Sequence, residues 1–357
     1  MERSLIYNHD QLLLYLAAIG YDLATHNPSV ANLELIVGLH LRTFPFENTS
    51  MHYTESHSMD VTHEGIFQRL VVDQHGGSYC FGLNRILMEM LKLLGYRVSP
   101  GSARVNRNSE PGPKSSSSSS TQPNFGPTSH MLLFVQLPES ALSETYVVDV
   151  GFGGSCLMRP ILLKDGAEAK GMTGSEHHRL VVAPPETSGI HFSSNSTSEW
   201  YLQIQHLKPP ATTSYSPTNW RTLYAFYLHP ASQPDYDNAS YIITHHPSSN
   251  IFRSSVVAVL PFLIASPPSL PNASDNSLLA SVIAELIKPE EGDMGKFVLF
   301  GNTLKLSVGH TAKVMKTMES EAERVALLKD FFNVRVAEEG VRWIEGREAA
   351  LEARARS

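Results

Sequence analysis

The sequence predicts an α+β fold, because helix-like and strand-like patterns occupy successive parts of its 357 residues. In the first hundred residues, apolar side chains recur at helical spacing, for example between residues 33 and 41. Past Pro100 the pattern changes to short apolar runs rich in β-formers, beginning with MLLFVQL (131–137) and TYVVDV (145–150). Between residues 241 and 306 the two patterns mix. We therefore expect a helical first part, a β-rich middle and a mixed last part.

Start and stop signals define the helices of the first part. The first helix is indicated by the apolar spacing over residues 12–19, and Ser29 is a typical N-cap for the second. Asp60 is expected to cap a third helix. The fourth is predicted over residues 81–94, where Gly95 provides a C-terminal stop.

Two segments have the composition of loops. Residues 106–127 contain a run of serines between prolines and glycines, and residues 266–277 form a shorter stretch of the same kind. Ser320 then opens a last helix. The charged tail after Gly346 is predicted to be a frayed, exposed helix.

Composition and charge exclude several classes of protein. Asp plus Glu is 35 against 28 Lys plus Arg, so the net charge of −7 argues against a nucleic-acid partner. No apolar run approaches the roughly 20 residues that span a bilayer, and the first residues do not resemble a signal peptide. Two cysteines cannot form a disulfide framework. We therefore expect a cytoplasmic protein without a membrane partner.

The segment HGGSYCFGLN places a cysteine at the start of a predicted helix. Gly76 and Gly77 predict a tight turn, and Cys80 then opens the helix. A thiol at this position is stabilised as thiolate by the helix dipole and by free backbone N–H groups, which could also form an oxyanion hole. The segment alone is equally compatible with a small buried hydrophobic residue behind a turn.

A nucleophilic cysteine needs a base and a group that orients the base. His130 stands at the start of the first strand of the predicted hairpin, and Asp149 near the end of the second. The two share a face if paired residue numbers sum to an odd value, which a Gln136–Thr145 pairing provides. An aspartate inside an apolar strand also requires a partner for its charge.

Two neighbouring segments have chemistry that is weaker on its own. The glycine-rich turn over residues 151–155 exposes backbone N–H groups that can hold phosphate oxygens, although most such turns are only turns. The segment FPFEN (44–48) is most simply a turn after a helix.

A metal site is not indicated by the sequence. The pairs His177-His178 and His245-His246 lack the HExxH spacing, and two cysteines are too few for a cysteine-rich zinc site.

Taken together, these segments resemble the arylamine N-acetyltransferase family. The likeness extends over roughly residues 10–335, and the order and spacing of its motifs make it specific. A later stretch around Tyr224, Phe226 and Phe252 follows the family pattern as well. The matching motifs are PFEN (45–48), GGSYCFGLN (76–84), SHMLLFVQL (129–137), VVDVGFGG (147–154), FGNTLKL (300–306) and ESEAERVALLKDFFNV (319–334).

The resemblance implies a three-domain architecture with a papain-like Cys-His-Asp core. The expected domains are a helical bundle over 1–98, a β-barrel over 99–215 that carries the low-complexity insert, and an α/β lid with a C-terminal tail over 216–357. Membership would also imply acyl transfer to an aromatic amine or hydrazine, with xenobiotic detoxification as the expected role. The acyl-coenzyme A is then a co-substrate, and no cofactor is bound permanently.

The resemblance also implies residue roles. Cys80 would be acylated by acetyl-, malonyl- or propionyl-coenzyme A, His130 would act as base, and Asp149 would orient it. Phe152 matches an aromatic residue of the family's acceptor pocket. Three further positions lie where family members approach the coenzyme: Thr128, Ser129 and Gly153. The sequence gives no indication of the oligomeric state.

The cysteine loop departs from the family pattern. Members usually have Arg-Gly-Gly followed by one aromatic residue and the cysteine, whereas here His75 replaces the arginine and Ser78 is an additional residue. The serine-rich insert before His130 is also unusual. Insertions and GGSYC-like loops resemble fungal members, some of which prefer malonyl-coenzyme A.

Two other classes compete with an acyltransferase. A papain-like or transglutaminase-like cysteine hydrolase shares the Cys-His-Asp order, but it has no need of the glycine turn after Asp149 or of the PFEN segment. A non-catalytic binding protein on the same fold would explain the changes at His75 and Ser78, but not an intact set of Cys80, His130 and Asp149.

Overall fold

The computed structural model describes most of the chain. Within the described residues, none of the helices has the length and apolar character needed to cross a membrane. The described ranges are 5–109, 122–138, 144–183, 198–206, 220–229, 231–246, 250–286, 294–309 and 311–351.

The helices lie in the first hundred residues and again after residue 230, as the sequence predicts. They are α1 (His9–Ile19), α2 (Val30–Thr43), α3 (Ser50–Tyr53), α4 (His63–Phe67), α5 (Cys80–Leu93), α6 (Gln233–His245), α7 (Asn250–Ser254), α8 (Ala273–Leu286) and α9 (Glu321–Phe332). Ser29 caps α2 through its side chain, as expected. The cap of α4 is Thr62 rather than Asp60, because the hydroxyl of Thr62 accepts the N–H of Gly65. Asp60 instead accepts the N–H of Thr62 itself.

The described strands form two antiparallel sheets. They are β1 (Phe46–Glu47), β2 (Arg97–Asn106), β3 (Phe125–Gln136), β4 (Thr145–Val148), β5 (Ile161–Leu162), β6 (Glu168–Lys170), β7 (Glu176–Val182), β8 (Trp200–His206), β9 (Arg221–Phe226), β10 (Val257–Leu263), β11 (Met294–Phe300), β12 (Thr303–Val308) and β13 (Thr311–Thr317). The larger sheet has the order β5-β4-β3-β2-β9-β8-β7-β6. Its edge strands β5 and β6 contact each other, so the sheet is barrel-like.

The smaller sheet has the order β1-β10-β11-β12-β13. Its first strand comes from the helical part of the chain, since Phe46 pairs with Val259 and Glu47 with Ala258. The expected division of the chain into three domains at residues 98 and 215 stays a proposal. In the larger sheet β9 lies between β2 and β8, so this sheet continues past residue 215.

The hairpin that carries the histidine has the predicted register. Gln136 pairs with Thr145 and Leu133 with Val148, so paired numbers sum to the same odd value along β3 and β4. The ladder ends at Val148, and Asp149 follows as the first residue beyond it. This placement leaves the aspartate free to turn towards His130.

Helix α5 is buried on all its sides. Every residue from Cys80 to Leu91 is buried, whereas α1 and α2 bury only one face. A surface helix normally exposes a polar face, so complete burial places α5 at the centre of the helical part. The hydrophobic cluster around it also includes Met131 and Val148 of the hairpin. Helix α5, which carries Cys80, therefore packs directly on the hairpin that carries His130.

The described part of the tail is packed on the protein, whereas residues 352–357 lie outside the described residues. Ala349, Ala350 and Leu351 are buried, contrary to the exposed helix predicted after Gly346. The fully buried guanidinium of Arg324 donates to the carbonyl of Ala349. The charge pattern of the tail does not reveal this contact, because the partner lies on α9.

The two low-complexity segments differ in outcome. Most of the serine-rich insert (110–121) lies outside the described residues. The segment 266–277 is partly ordered: Leu270 is buried, and α8 begins at Ala273. The side chain of Asn276 accepts the N–H of Leu270 at 2.8 Å and donates to its carbonyl at 2.7 Å. These local bonds stabilise a turn that composition alone does not predict.

Candidate active site

Cys80 is the first residue of α5, so its thiol lies at the positive end of the helix dipole. The preceding Tyr79 is extended, and Gly76 has a φ of +96°, a conformation that favours glycine. The sulfur lies 3.9 Å from the carbonyl oxygen of Ser129, next to the candidate base. The predicted loop-to-helix placement of the cysteine is confirmed.

His130 and Asp149 are brought together as the hairpin register predicts. Nε2 of His130 lies 2.7 Å from Oδ2 of Asp149, and both side chains are buried. Because Nε2 faces the carboxylate, Nδ1 is the nitrogen left for Cys80. Burial opposes a charge on His130, but the adjacent Asp149 and a hydrogen bond with Cys80 outweigh it and raise the pKa of His130 to about 10.

Asp149 accepts four hydrogen bonds. Besides His130, the donors are the Asn84 amide at 3.1 Å, the Gly151 N–H at 2.8 Å and the Tyr224 hydroxyl at 3.1 Å. Burial alone would raise the pKa of Asp149, but the charge of His130 and these hydrogen bonds lower it below its ordinary value. The carboxylate is therefore held ionised and oriented.

Asn84 and Tyr224 are site residues that sequence reasoning did not single out by role. Asn84 stands one helical turn after Cys80 and ties α5 to the hairpin, because its amide also donates to the Met131 carbonyl and its oxygen accepts the Val150 N–H. The i, i+4 spacing from Cys80 is the signal that could have found it. Tyr224 lies 75 positions from Asp149, so no local signal marks it.

The glycine turn after Asp149 lies against Cys80. A Cβ on Gly151 would lie 2.4 Å from Cα of Cys80, so this close approach requires glycine. The ring of Phe152 packs edge-on against His130 with a centroid distance of 5.0 Å, and Tyr224 lies 5.0 Å from the same imidazole. The aromatic rings shield His130 from water on these sides.

Cys156 has a different environment from Cys80. Its thiol donates to the carbonyl of Asp149 at 3.0 Å and accepts the N–H of Phe152. Complete burial, and then the negative charge of Asp149, raise the pKa of Cys156 well above its ordinary value. Cys156 therefore has the properties of a structural thiol that closes the turn.

A cavity of about 640 Å³ adjoins the sulfur of Cys80. Ser129, Phe152 and Gly153 line it, whereas Thr128 is exposed and is not part of its lining. The described side chains that line it include no carboxylate, and besides His130 they include three basic ones: Arg107, Arg221 and Lys305. The cavity wall is therefore suited to an anionic ligand. In the described ranges no group of three or more His, Cys, Asp or Glu side chains could hold a metal ion.

Comparison with known proteins places this arrangement in a family. The N-acetyltransferase family model matches residues 29–262. An arylamine N-acetyltransferase of Mycobacterium bovis is 30% identical over 249 residues, which are 70% of this chain and 74% of that protein. An N-malonyltransferase of Gibberella moniliformis is 25% identical over 311 residues, 86% of this chain and 78% of that protein. The chain belongs to the arylamine N-acetyltransferase family.

Solved structures of arylamine N-acetyltransferases share this fold. The Mycobacterium tuberculosis structure superposes with a TM-score of 0.63 and 25% identity, covering 92% of this chain and 95% of that one. The Mycobacterium marinum structure in complex with CoA gives a TM-score of 0.64 at 23% identity, covering 93% of this chain and 97% of that one. The predicted α+β arylamine N-acetyltransferase fold is therefore confirmed.

The PFEN motif (45–48) is hydrogen-bonded to the loop that precedes Cys80. The buried carboxylate of Glu47 accepts the Gly77 N–H at 3.2 Å. The backbone N–H of Glu47 donates to the Ser78 carbonyl at 3.1 Å. Asn48 binds the carbonyls of Phe252 and Ser255, more than 200 positions later. The segment is thus a link between the nucleophile loop and the smaller sheet, rather than only a turn after a helix.

The departures from the family pattern in the cysteine loop are compensated nearby. The His75 imidazole is hydrogen-bonded to the Gln74 carbonyl, and Arg69 donates from Nε to the Gly77 carbonyl at 2.9 Å. The additional Ser78 packs against Gly82, where a Cβ would lie 2.1 Å from its hydroxyl oxygen. A residue larger than glycine at position 82 would collide with the inserted serine.

Proposed function

We propose that this protein transfers an acyl group from acyl-coenzyme A to an aromatic amine or hydrazine through a thioester on Cys80. The observation that supports this most strongly is the Cys80, His130 and Asp149 constellation in a chain of the arylamine N-acetyltransferase family. His130 is the proposed base, and Asp149 orients it and stabilises its charged form.

In the first half-reaction the Cys80 thiolate attacks the thioester carbonyl, and the bond from the carbonyl carbon to the coenzyme sulfur breaks. The coenzyme thiolate leaves and takes the proton held by the His130 imidazolium. In the second half-reaction the amine nitrogen attacks the acyl-cysteine while His130 accepts a proton from that nitrogen. Cys80 then leaves as thiolate, and the amide product carries the acyl group.

The cavity supports this pair of substrates. The phosphates of an acyl-coenzyme A are anionic, and Arg107, Arg221 and Lys305 line the wall. The rings of Phe46, Phe152 and Phe252 also line it and would contact an aromatic amine. Ser129 and Gly153 remain proposed coenzyme contacts. Thr128 is the weakest of these assignments, because its side chain does not line the cavity.

The acyl donor and the setting follow from the same proposal. We propose acetyl-coenzyme A and malonyl-coenzyme A as the donors to test first, since the relatives include both arylamine N-acetyltransferases and an N-malonyltransferase. Detoxification of foreign aromatic amines is the proposed role. A reducing compartment such as the cytoplasm suits a mechanism that needs a free thiolate.

Intact-protein mass spectrometry tests the proposal. The protein is incubated separately with acetyl-, propionyl- and malonyl-coenzyme A, and the adduct mass identifies the donor that is used. We expect one acyl group per chain on the wild type, loss of the adduct when an aminobenzoate is added, and no adduct on Cys80→Ala. A wild-type protein that stays unmodified by every donor would contradict the proposed function.

A further inference from the structure

Two side chains that the proposed reaction does not use are hydrogen-bonded to carbonyls of the glycine turn beside the active site. His178, on β7, is completely buried, and its Nε2 lies 3.2 Å from the carbonyl oxygen of Ser155. Lys296, on β11, reaches across from the smaller sheet and donates from Nζ to the carbonyl of Gly154. Neither side chain lines the cavity.

A buried carboxylate, that of Glu176, is on the same strand as His178. Glu176 precedes His178 by two residues, and both are buried on β7. Burial would raise the pKa of Glu176, but the positive charge of Lys296 and the Met172 N–H lower it. Its Oε1 also accepts the Met172 N–H at 3.1 Å. Glu176 is therefore ionised and balances the charge that Lys296 brings to the turn.

The imidazole of His178 acts as a neutral donor. Donation to a carbonyl requires the proton on Nε2, and Nδ1 has no hydrogen-bond partner within the described ranges. Burial lowers the pKa of His178, which favours the neutral ring. A neutral donor and a charged donor thus bind two consecutive carbonyls of the same turn.

Binding these carbonyls fixes the opposite side of the peptide groups. In a planar trans peptide the N–H points away from the preceding carbonyl, so the Ser155 N–H points away from Lys296. Gly153, Gly154 and Ser155 all line the cavity, and Gly153 has a φ of +64°. The Cys156 N–H donates to the Gly153 carbonyl at 3.2 Å, so of these two peptide groups the Ser155 N–H is the one that the turn can offer to an anion in the cavity.

We propose that His178 and Lys296, with Glu176 as counter-charge, are positioning residues that hold the 153–155 turn in the conformation that binds the coenzyme. The proposal rests on the proposed function, because it assigns the turn to the coenzyme half of the donor. These residues act on the binding of acyl-coenzyme A and leave the chemistry at Cys80 unchanged.

Two acyl donors separate coenzyme binding from chemistry. Acetyl-coenzyme A carries the phosphates, whereas p-nitrophenyl acetate delivers the same acetyl group to Cys80 without them. In Lys296→Met and in His178→Phe we expect the KM for acetyl-coenzyme A to rise about tenfold, the effect of about 1.4 kcal/mol of lost binding. The rate with p-nitrophenyl acetate should stay within about twofold of the wild type, since this donor has no phosphates to contact the backbone of residues 153–155.

Conservative variants at both positions and a control substitution of another lysine complete the experiment. Lys296→Arg and His178→Gln keep a donor and should recover most of the affinity. They also test the proposal where the first variants fail to fold. Lys313→Met removes an exposed lysine from β13 of the same sheet. It should change neither the KM for acetyl-coenzyme A nor the rate with p-nitrophenyl acetate. Circular dichroism and the melting temperature of each variant report whether the fold is kept.

Two results would overturn the proposal. An unchanged KM for acetyl-coenzyme A in Lys296→Met and His178→Phe would show that the turn needs no support. Equal losses with both donors would place the effect at Cys80 or in the fold. If wild-type Cys80 is not acylated by any acyl-coenzyme A, the proposed function itself fails, a result that is distinct from either of these.

Discussion

At the scale of single residues, the two cysteines differ in the groups that face them. Cys80 stands at a helix N-terminus beside His130, whereas Cys156 is enclosed near the Asp149 carboxylate, which raises its pKa. Limited iodoacetamide at neutral pH should therefore label Cys80 first, because only the thiolate reacts. Peptide mapping of the alkylated protein measures the order. Faster labelling of Cys156 would count against this assignment.

A second residue-scale prediction concerns the charge of Asp149. Replacing it in Asp149→Asn leaves a group of the same size, but the amide cannot stabilise the His130 imidazolium. We expect the rate of Cys80 acylation to fall about 10²- to 10⁴-fold with little change in far-UV circular dichroism. Stopped-flow acylation by acetyl-coenzyme A measures the loss.

Tyr224→Phe is the matched control for this change. It removes one donor to the same carboxylate without altering its charge, so we expect a smaller loss, of about tenfold, from a hydrogen bond to a charged group worth about 1.5 kcal/mol. If Cys80 in Asp149→Asn were acylated at the wild-type rate, the carboxylate would not be part of the mechanism.

At the scale of elements, the approach of α5 to the glycine turn is the most demanding contact. In Gly151→Ala the new methyl would lie 2.4 Å from Cα of Cys80, so the helix and the turn must separate. We expect a loss of stability of about 1–3 kcal/mol, together with slower alkylation of Cys80. Gly154→Ala is the control, since a Cβ there meets nothing within 4 Å. Denaturant unfolding compares the two, and equal stability would contradict the predicted contact.

Elements that depend on local pattern were predictable from the sequence. Strand periodicity gave the condition under which His130 and Asp149 share a face, and the observed Gln136–Thr145 pairing meets it. Helix α5 was predictable from the glycine turn and the apolar run behind it. The cap of α4 was assigned to the wrong residue, because Asp60 and Thr62 are both capable caps and only the geometry distinguishes them.

Contacts between distant parts of the chain were not predictable. Asn48 binds carbonyls more than 200 positions away, and Lys296 reaches a carbonyl 142 positions before it. No periodicity encodes such pairs. The burial of residues 349–351 was missed for the same reason, since Arg324 on α9 supplies the polar contact to the Ala349 carbonyl.

At the scale of the whole molecule, the serine-rich insert should be dispensable for folding. The strands on either side are already joined, because the Arg107 N–H donates to the Asn124 carbonyl at 2.8 Å. The Asn106 side chain accepts the Asn124 N–H at 2.9 Å. Replacing residues 110–121 with a short Gly-Ser linker should shift the melting temperature by only a few degrees, since loop closure depends weakly on length. A large drop in the melting temperature would show that the insert packs on the rest of the protein.

The cavity is formed where all three parts of the chain meet. Cys80 comes from the helical part, His130 from the larger sheet, Phe152 from the turn after β4, and Val298 and Lys305 from the smaller sheet. In the proposed function both substrates reach Cys80 from this cavity, and the acyl group stays on Cys80 between them. The arrangement therefore predicts a ping-pong reaction in which coenzyme A leaves before the amine binds.

Steady-state and burst kinetics test this order of events. Double-reciprocal plots against acyl-coenzyme A, at several concentrations of an aminobenzoate, should be parallel. Without amine, one equivalent of coenzyme A per chain should appear in a burst, followed by slow hydrolysis, because Phe152 and Tyr224 limit the access of water to His130. Cys80→Ala should give no burst. Intersecting lines without a burst would mean direct transfer in a ternary complex and would remove Cys80 from its nucleophilic role, whereas rapid cleavage of peptides would favour a cysteine hydrolase.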